Sequence, residues 1–121
     1  MTTMLCRSAA PPALSDVRLR VIVALVAWAE SVAVDALFQP SRGDQPVADA
    51  RHLAIYLAHV LMGIDMTRLG RTFGRDRASV RHALRRIEQR RDEPLFDARV
   101  SALESILQPL AAVSPALGDA A

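Results

Sequence analysis

The chain has 121 residues, about half of them apolar, with five aromatics, one cysteine and a formal net charge of +2. That length fits one domain with tails, and a core so short of aromatics must be built from Leu, Val, Ile and Ala. All fifteen basic residues are arginine, which excludes a Walker-type phosphate loop and lysine Schiff-base or general-base chemistry.

Cys6 stands alone, so the chain offers no disulfide framework and no multi-cysteine zinc site. A reducing cytoplasm fits that usage. No stretch alternates apolar and polar residues as a half-buried strand would, and Ala, Leu and Arg favour helix. The expectation is an all-α protein: one compact helical domain over 15–108, between disordered tails at 1–14 and 109–121.

In chain order, Pro11-Pro12 and small polar residues mark the first tail. Arg18 and Arg20 then precede a nine-residue apolar run, Val21 to Ala29. This resembles a secretory signal, but Glu30 interrupts it, and a bilayer span takes about 20 residues. The preferred reading is a buried helix from about Asp16 to Glu30, with Leu19, Ile22, Val26 and Ala29 inward. Trp28 is read as a core or groove-lining residue. Val32 to Phe38 reads as a second short helical piece. Gln39 to Pro46 breaks the chain with two prolines and a glycine, and carries Arg42.

Val47 to Leu61 reads as a strong helix with Ala50, Leu53, Ala54, Leu57, Ala58 and Leu61 inside, and Arg51 and His52 on its outer side. His52 and His59 have no carboxylate or cysteine at ligand spacing, so no metal is expected. Met66, Leu69 and Phe73 then recur at helical spacing. Gly74 can end that helix in a left-handed conformation, and Asp76 is a good N-cap for the next. Val80, Ala83, Leu84 and Ile87 form one apolar stripe. Two helices, a tight glycine turn and a free outer face make a helix-turn-helix. Pro94 stops the second helix. A last amphipathic helix, from about Leu95 to Leu107, carries Phe96, Val100, Leu103, Ile106, Leu107 and, beyond it, Leu110.

The charge is polarised. Residues 68–91 hold nine arginines and two acids, a net +7, so the rest of the chain carries −5. A concentrated basic patch on such a motif is an electrostatic footprint for a phosphate backbone.

These residues resemble the C-terminal DNA-binding domain of DnaA, the bacterial replication initiator. The likeness rests on Arg51-His-Leu-Ala-Ile-Tyr-Leu-Ala-His-Val-Leu61, Leu69-Gly-Arg-Thr-Phe-Gly-Arg-Asp76 and Val80-Arg-His-Ala-Leu-Arg-Arg-Ile87. It runs from about Val21 to Leu107 and looks like the stand-alone form found in alphaproteobacteria, without ATPase and oligomerisation domains. The resemblance implies that Arg77, Ala78 and Ser79 read bases in the major groove. It places Arg51, His52, Arg85 and Arg86 at phosphates or groove flanks, Arg42 near the minor groove, and His82 in a structural or backbone-facing role. Arg75, Asp76 and Arg81 complete the candidate DNA-binding set.

Two departures stand out. The family's His-Thr-Thr is here Arg77-Ala78-Ser79, and one glycine is missing from the turn. Ala78 can touch a thymine methyl but cannot hydrogen-bond, whereas Arg77 can pair bidentately with guanine; each such contact is worth about 1–3 kcal/mol.

The first function expected is sequence-preferring binding of double-stranded DNA, in control of replication initiation or of transcription. Neutralising ~4–6 phosphates would give a salt slope near −4 to −5. The alternative is a regulator that contacts DnaA, its ATP-hydrolysis regulator or the clamp, through the apolar face of the last helix. No enzyme activity, cofactor or membrane is expected, since no nucleophile has a paired base. The protein is expected in the cytoplasm on the nucleoid, as a monomer, with a weak dimer through the last helix as the other possibility.

Overall fold

The computed structural model describes residues 16–39 and 44–113. These form five α-helices: α1 (Val17–Glu30), α2 (Gln45–Met62), α3 (Met66–Phe73), α4 (Arg77–Arg90) and α5 (Pro94–Leu107). Two short 3-10 turns, Asp35–Phe38 and Gln108–Ala112, follow α1 and α5. The described residues contain no strand, and none of their helices is long and apolar enough to cross a membrane. The fold is all-α, as expected. The expected tail at 1–14 and the loop residue Arg42 lie outside the described residues, as do residues 114–121.

α2 is the axis of the domain. Ala50, Leu53, Ala54, Leu57 and Ala58 are buried as anticipated, but so are Arg51, Ile55 and Tyr56. The helix is therefore covered on nearly all sides, with α1 and α4 both packed on it. Gly63 ends it at φ +70°, a conformation that costs glycine nothing. At the other end, Pro46 sits in the first turn of α2, where its missing N–H leaves no bond unmade.

Asp16 caps α1 by accepting from the Arg18 amide at 2.9 Å. Its carboxylate is buried and also pairs with the Arg18 guanidinium at 3.1 Å and with Arg68, in α3, at 3.7 Å. Burial alone would raise its pKa, yet the hydrogen bonds and charge of Arg18 hold it below the usual carboxylate value.

Leu19, Ile22 and Val26 face inward as the periodicity requires, joined by Val23 and Ala27. Two expectations fail on this helix. Trp28 is 79% exposed, and Ala29 is exposed as well. The helix is apolar nearly all round, so nothing in its composition marks which side meets solvent. Trp28 falls opposite the Leu19–Ile22–Val26 stripe, and Ala29 lies in the last turn. The expected helical piece at 32–38 is shorter than anticipated, a 3-10 turn over Asp35–Phe38 that buries Leu37.

α5 packs Phe96, Val100, Leu103 and Leu107 into the core. Ile106, expected inside, is 62% exposed. It follows the buried Leu103 by three residues, but the buried set steps 96, 100, 103, 107 and leaves 106 on the flank. The described chain runs on through the 3-10 turn to Val113, so the expected boundary at 108 falls at the start of that turn.

Candidate nucleic-acid interface

The helix-turn-helix is defined by how its two helices begin and end. Asp65 caps α3 by accepting from the Arg68 amide at 2.7 Å. Gly74 ends α3 at φ +65°. Asp76 caps α4 by accepting from the Ser79 amide at 2.8 Å, and this bond pulls the Asp76 pKa below its ordinary value. The turn closes tightly: the Arg75 amide donates to the Gly70 carbonyl at 2.8 Å. A Cβ on Gly70 would stand 2.6 Å from the Arg75 carbonyl oxygen, so that position has no room for a side chain. Phe73 is buried beneath the turn and stacks on Phe38 with ring centroids 5.0 Å apart.

α4 turns Val80, Ala83 and Ile87 inward. Arg77, Ala78, Ser79, Arg81, His82, Arg85 and Arg86 are all exposed. They divide between two flanks. Arg77, Arg81 and Arg85 recur every four residues, a rise of about 6 Å per step, and form one arginine ridge. On the other flank, Ser79, His82, Arg86 and Gln89 face Gln45, Ala48, Arg51, His52 and Ile55 of α2 across a groove of about 690 Å³, which Arg75 also lines. Ala78 lies between the flanks, at the front of the helix.

Arg51 was expected on the outer side of α2; it is instead 4% exposed. Its Nε donates to the Leu37 carbonyl at 2.9 Å. Its Nη2 is buried and has no hydrogen-bond partner. Desolvation, with a smaller contribution from the charge of Arg75, pushes its pKa down. An arginine with an unsatisfied N–H on a groove wall has a donor that an anion can fill.

His52 is a different kind of group. Burial first, then the proximity of His82, lowers its pKa to about 4. It is therefore neutral near pH 7 and can contribute a hydrogen bond but no charge. Its Nδ1 is buried without a partner. The His82 ring stands edge-on to it at 5.6 Å, so His82 is at once solvent-exposed and part of the groove wall.

The nine arginines of the motif do not act alike. Arg75 donates from Nη2 to the Gln39 carbonyl at 3.0 Å and from Nη1 to the Phe73 and Gly74 carbonyls at 3.2 and 3.3 Å. It staples the turn to the segment that follows the first 3-10 turn. Arg68 pairs with Asp16, and Arg90 lies 3.8 Å over the Phe96 ring. Arg91 is neutralised by Asp97 at 2.5 Å and Glu104 at 2.9 Å, and also donates to the Tyr56 hydroxyl and to Ser101 at 3.1 Å. Its pKa is raised, chiefly by Glu104. Five of the nine, Arg71, Arg77, Arg81, Arg85 and Arg86, make no side-chain hydrogen bond, ion pair or ring contact among the described residues.

Residues 19–87 match the family described as the bacterial dnaA protein helix-turn-helix. The chain belongs to that family. The match takes in α2, the turn and most of α4, which are the elements that build both walls of the groove. A DnaA-type helix-turn-helix is a DNA-binding rather than a catalytic unit. The Arg91 cluster and α5 lie beyond the matched segment.

Sequence reasoning found the ridge, the caps and the turn. It missed the burial of Arg51, the staple made by Arg75 and the Arg91 cluster. The last left a readable signal: Asp97, Ser101 and Glu104 are spaced four and three apart, which puts them on one face of a helix.

Proposed function

We propose that this protein binds double-stranded DNA with sequence preference, in the cytoplasm on the nucleoid, and regulates replication initiation or transcription at DnaA-box-like sites. α4 enters the major groove by its N-terminal turns. Arg77 and Ala78 meet base edges, the ridge of Arg81 and Arg85 follows one phosphate strand, and Arg86 with Arg51 holds the other. One copy binds each site.

The observation that carries this reading is the partnerless Nη2 of buried Arg51 on the wall of a groove whose other side is the recognition helix. A phosphate held at Arg86 would supply the missing acceptor once the Arg51 side chain turns into the groove, since its Nη2 has almost no exposed surface as it stands. The departures at Arg77 and Ala78 favour a site richer in guanine and thymine contacts than the family's own.

The test is fluorescence anisotropy with a DnaA-box duplex and a scrambled duplex, at low and physiological salt. Tighter binding to the box, with a salt slope of about −4.5 to −5.4 for five to six neutralised phosphates, is the expected result. Equal affinity for both duplexes would refute sequence preference at that box. A slope near −1 would refute the phosphate clamp.

The protein-contact alternative rested on Ala78 and on the apolar face of the last helix. Most of that face is spent on the core, since Phe96, Val100, Leu103 and Leu107 are buried, while Leu95 and Ile106 stay in solvent.

A further inference from the structure

α1 keeps an apolar stripe in solvent that neither the core nor the recognition helix uses. Val17, Val21, Ala24 and Trp28 are spaced four, three and four residues apart, which is the spacing of the a and d positions of a two-helix seam. Val17 is half-buried, Val21 is 41% exposed, Ala24 is exposed, and Trp28 is the most exposed large apolar side chain among the described residues. A tryptophan held in water in line with two valines and an alanine is not required by the fold, which already buries Leu19, Ile22, Val23, Val26 and Ala27 on the other side of the same helix.

We propose that two copies of this chain associate through this stripe, α1 against α1, in antiparallel orientation. The spacing is symmetric about its middle. A two-fold axis between Val21 and Ala24 therefore sets Val21 of one copy against Ala24 of the other, and the bulky Trp28 against the smaller Val17. Each pair joins a larger side chain to a smaller one, and Ala24 near the axis lets the two backbones approach closely. Self-complementarity of this kind is what a two-fold contact needs. A parallel pair would instead set Trp28 against Trp28 and leave Ala24 facing Ala24 across a gap.

The helix dipole favours the same orientation. α1 has no acid in its first turn and no base in its last, while Arg18 and Arg20 lie near its N-terminus. Arg18 is held by Asp16. Arg20 is exposed and forms no ion pair among the described residues. An arginine at the positive end of its own helix dipole is misplaced, but an antiparallel partner brings a helix C-terminus beside it. The same arrangement places Arg20 within reach of the Trp28 ring of the other copy, a cation over an aromatic face.

The contact leaves the DNA face free. α1 and α4 both pack on α2 but not extensively on each other, and the groove wall draws on Ala48, Arg51, His52 and Ile55, away from α1. Two joined copies present two recognition helices, the arrangement that lets helix-turn-helix proteins read two half-sites. Four residues per copy, one of them alanine, make an interface below the ~1,200 Å² of a stable complex, so the association is weak and belongs in the upper micromolar range.

Trp28 is the chain's one tryptophan, so its fluorescence reports on this seam alone. The experiment pairs sedimentation equilibrium with Trp28 emission and acrylamide quenching, on the full chain over a series that reaches the upper micromolar range. Mass is expected to rise from one copy to two while emission shifts to the blue and quenching falls over the same range. Ala24→Glu and, separately, Trp28→Arg should hold the protein at one copy with unchanged far-UV circular dichroism. Arg20→Glu should weaken association about fivefold, two dipole contacts being lost at once, and Ile106→Glu should leave it unchanged. A single-copy mass throughout would overturn the proposal. So would doubling without a change in Trp28 emission, or doubling that survives Ala24→Glu.

Discussion

Replacing Arg51 by methionine separates the two things a buried arginine can do. In the folded protein its guanidinium makes one hydrogen bond, to the Leu37 carbonyl, and leaves Nη2 buried and unpaired. Losing that bond costs about 1 kcal/mol net. Against this stands the desolvation of a charge with no carboxylate beside it, which disfavours the wild-type folded state by an amount on the order of several kcal/mol. Methionine fills similar length without a charge. The expected stability change in Arg51→Met is therefore small, no loss greater than about 1 kcal/mol, and a gain is consistent with the same balance. DNA binding should behave in the opposite way. One charge-assisted hydrogen bond to a phosphate is worth about 1.5–3 kcal/mol, or roughly 10- to 150-fold in affinity, and the salt slope should become shallower by about 0.9.

Urea unfolding and duplex anisotropy, run on the same preparations, check both halves. Arg51→Lys is the control: it keeps a point charge but loses the fork that reaches two acceptors, so it should recover part of the slope and little of the affinity. The reasoning is refuted if Arg51→Met loses more than about 3 kcal/mol of stability, the loss expected when a buried pair is broken, while the folded fraction binds DNA as before. Arg51 would then be a structural strut.

Three further outcomes follow from the same geometry. His52 has a folded pKa of about 4 against about 6.5 when unfolded, so the unfolded chain binds more protons between those values. Stability is full above pH 6.5, falls as pH drops through the window, and is about 2 kcal/mol lower by pH 5. His52→Gln should flatten that part of a urea-midpoint-versus-pH curve, and an unchanged curve would refute the burial argument. Gly70→Ala forces a Cβ against the Arg75 carbonyl and should cost about 1–3 kcal/mol, as overpacking does; an unchanged urea midpoint would show that the turn can open without penalty. Arg77→Ala should relax base preference by about 1–3 kcal/mol at one position, whereas Arg81→Ala should weaken every duplex alike and make the salt slope shallower by about 0.9. If the two variants behave identically in a binding-site selection, the division into reading and clamping residues is wrong.

The helix-turn-helix was legible because its signals are local. Leu69 and Phe73 bury one face of a short helix, Gly74 supplies a positive φ, and Asp76 offers a carboxylate to the next turn; each acts within a few residues. On α1 the inward positions Leu19, Ile22 and Val26 were legible, but the solvent side at Trp28 and Ala29 was not, because Val, Leu and Ala occur all round the helix and hydrophobic periodicity has no minimum to mark solvent. Arg51 was misplaced for a related reason. Arginine is read as a surface residue, and its partner, the Leu37 carbonyl, lies fourteen residues earlier in an irregular turn. Arg91 was counted with the basic patch because the acids that neutralise it come from the following helix.

The separation of these arginines bears on why the chain uses no lysine. Arg75 reaches three carbonyls across two segments, and Arg91 reaches two carboxylates, a phenol and a serine. A planar fork of five donors can hold such sets at once, whereas an ammonium has three donors around one point. In this small domain arginine therefore does what a larger core would do elsewhere: it ties the turn and the end of the recognition helix to their neighbours. The cost is that the nominal +7 of the motif overstates the charge available to a duplex. Arg91 is balanced by two acids, Arg68 shares Asp16, and Arg75 is committed to the backbone. What faces outward is a ridge and a groove wall, and their separation on opposite flanks of α4 is the feature that would let one helix engage both strands.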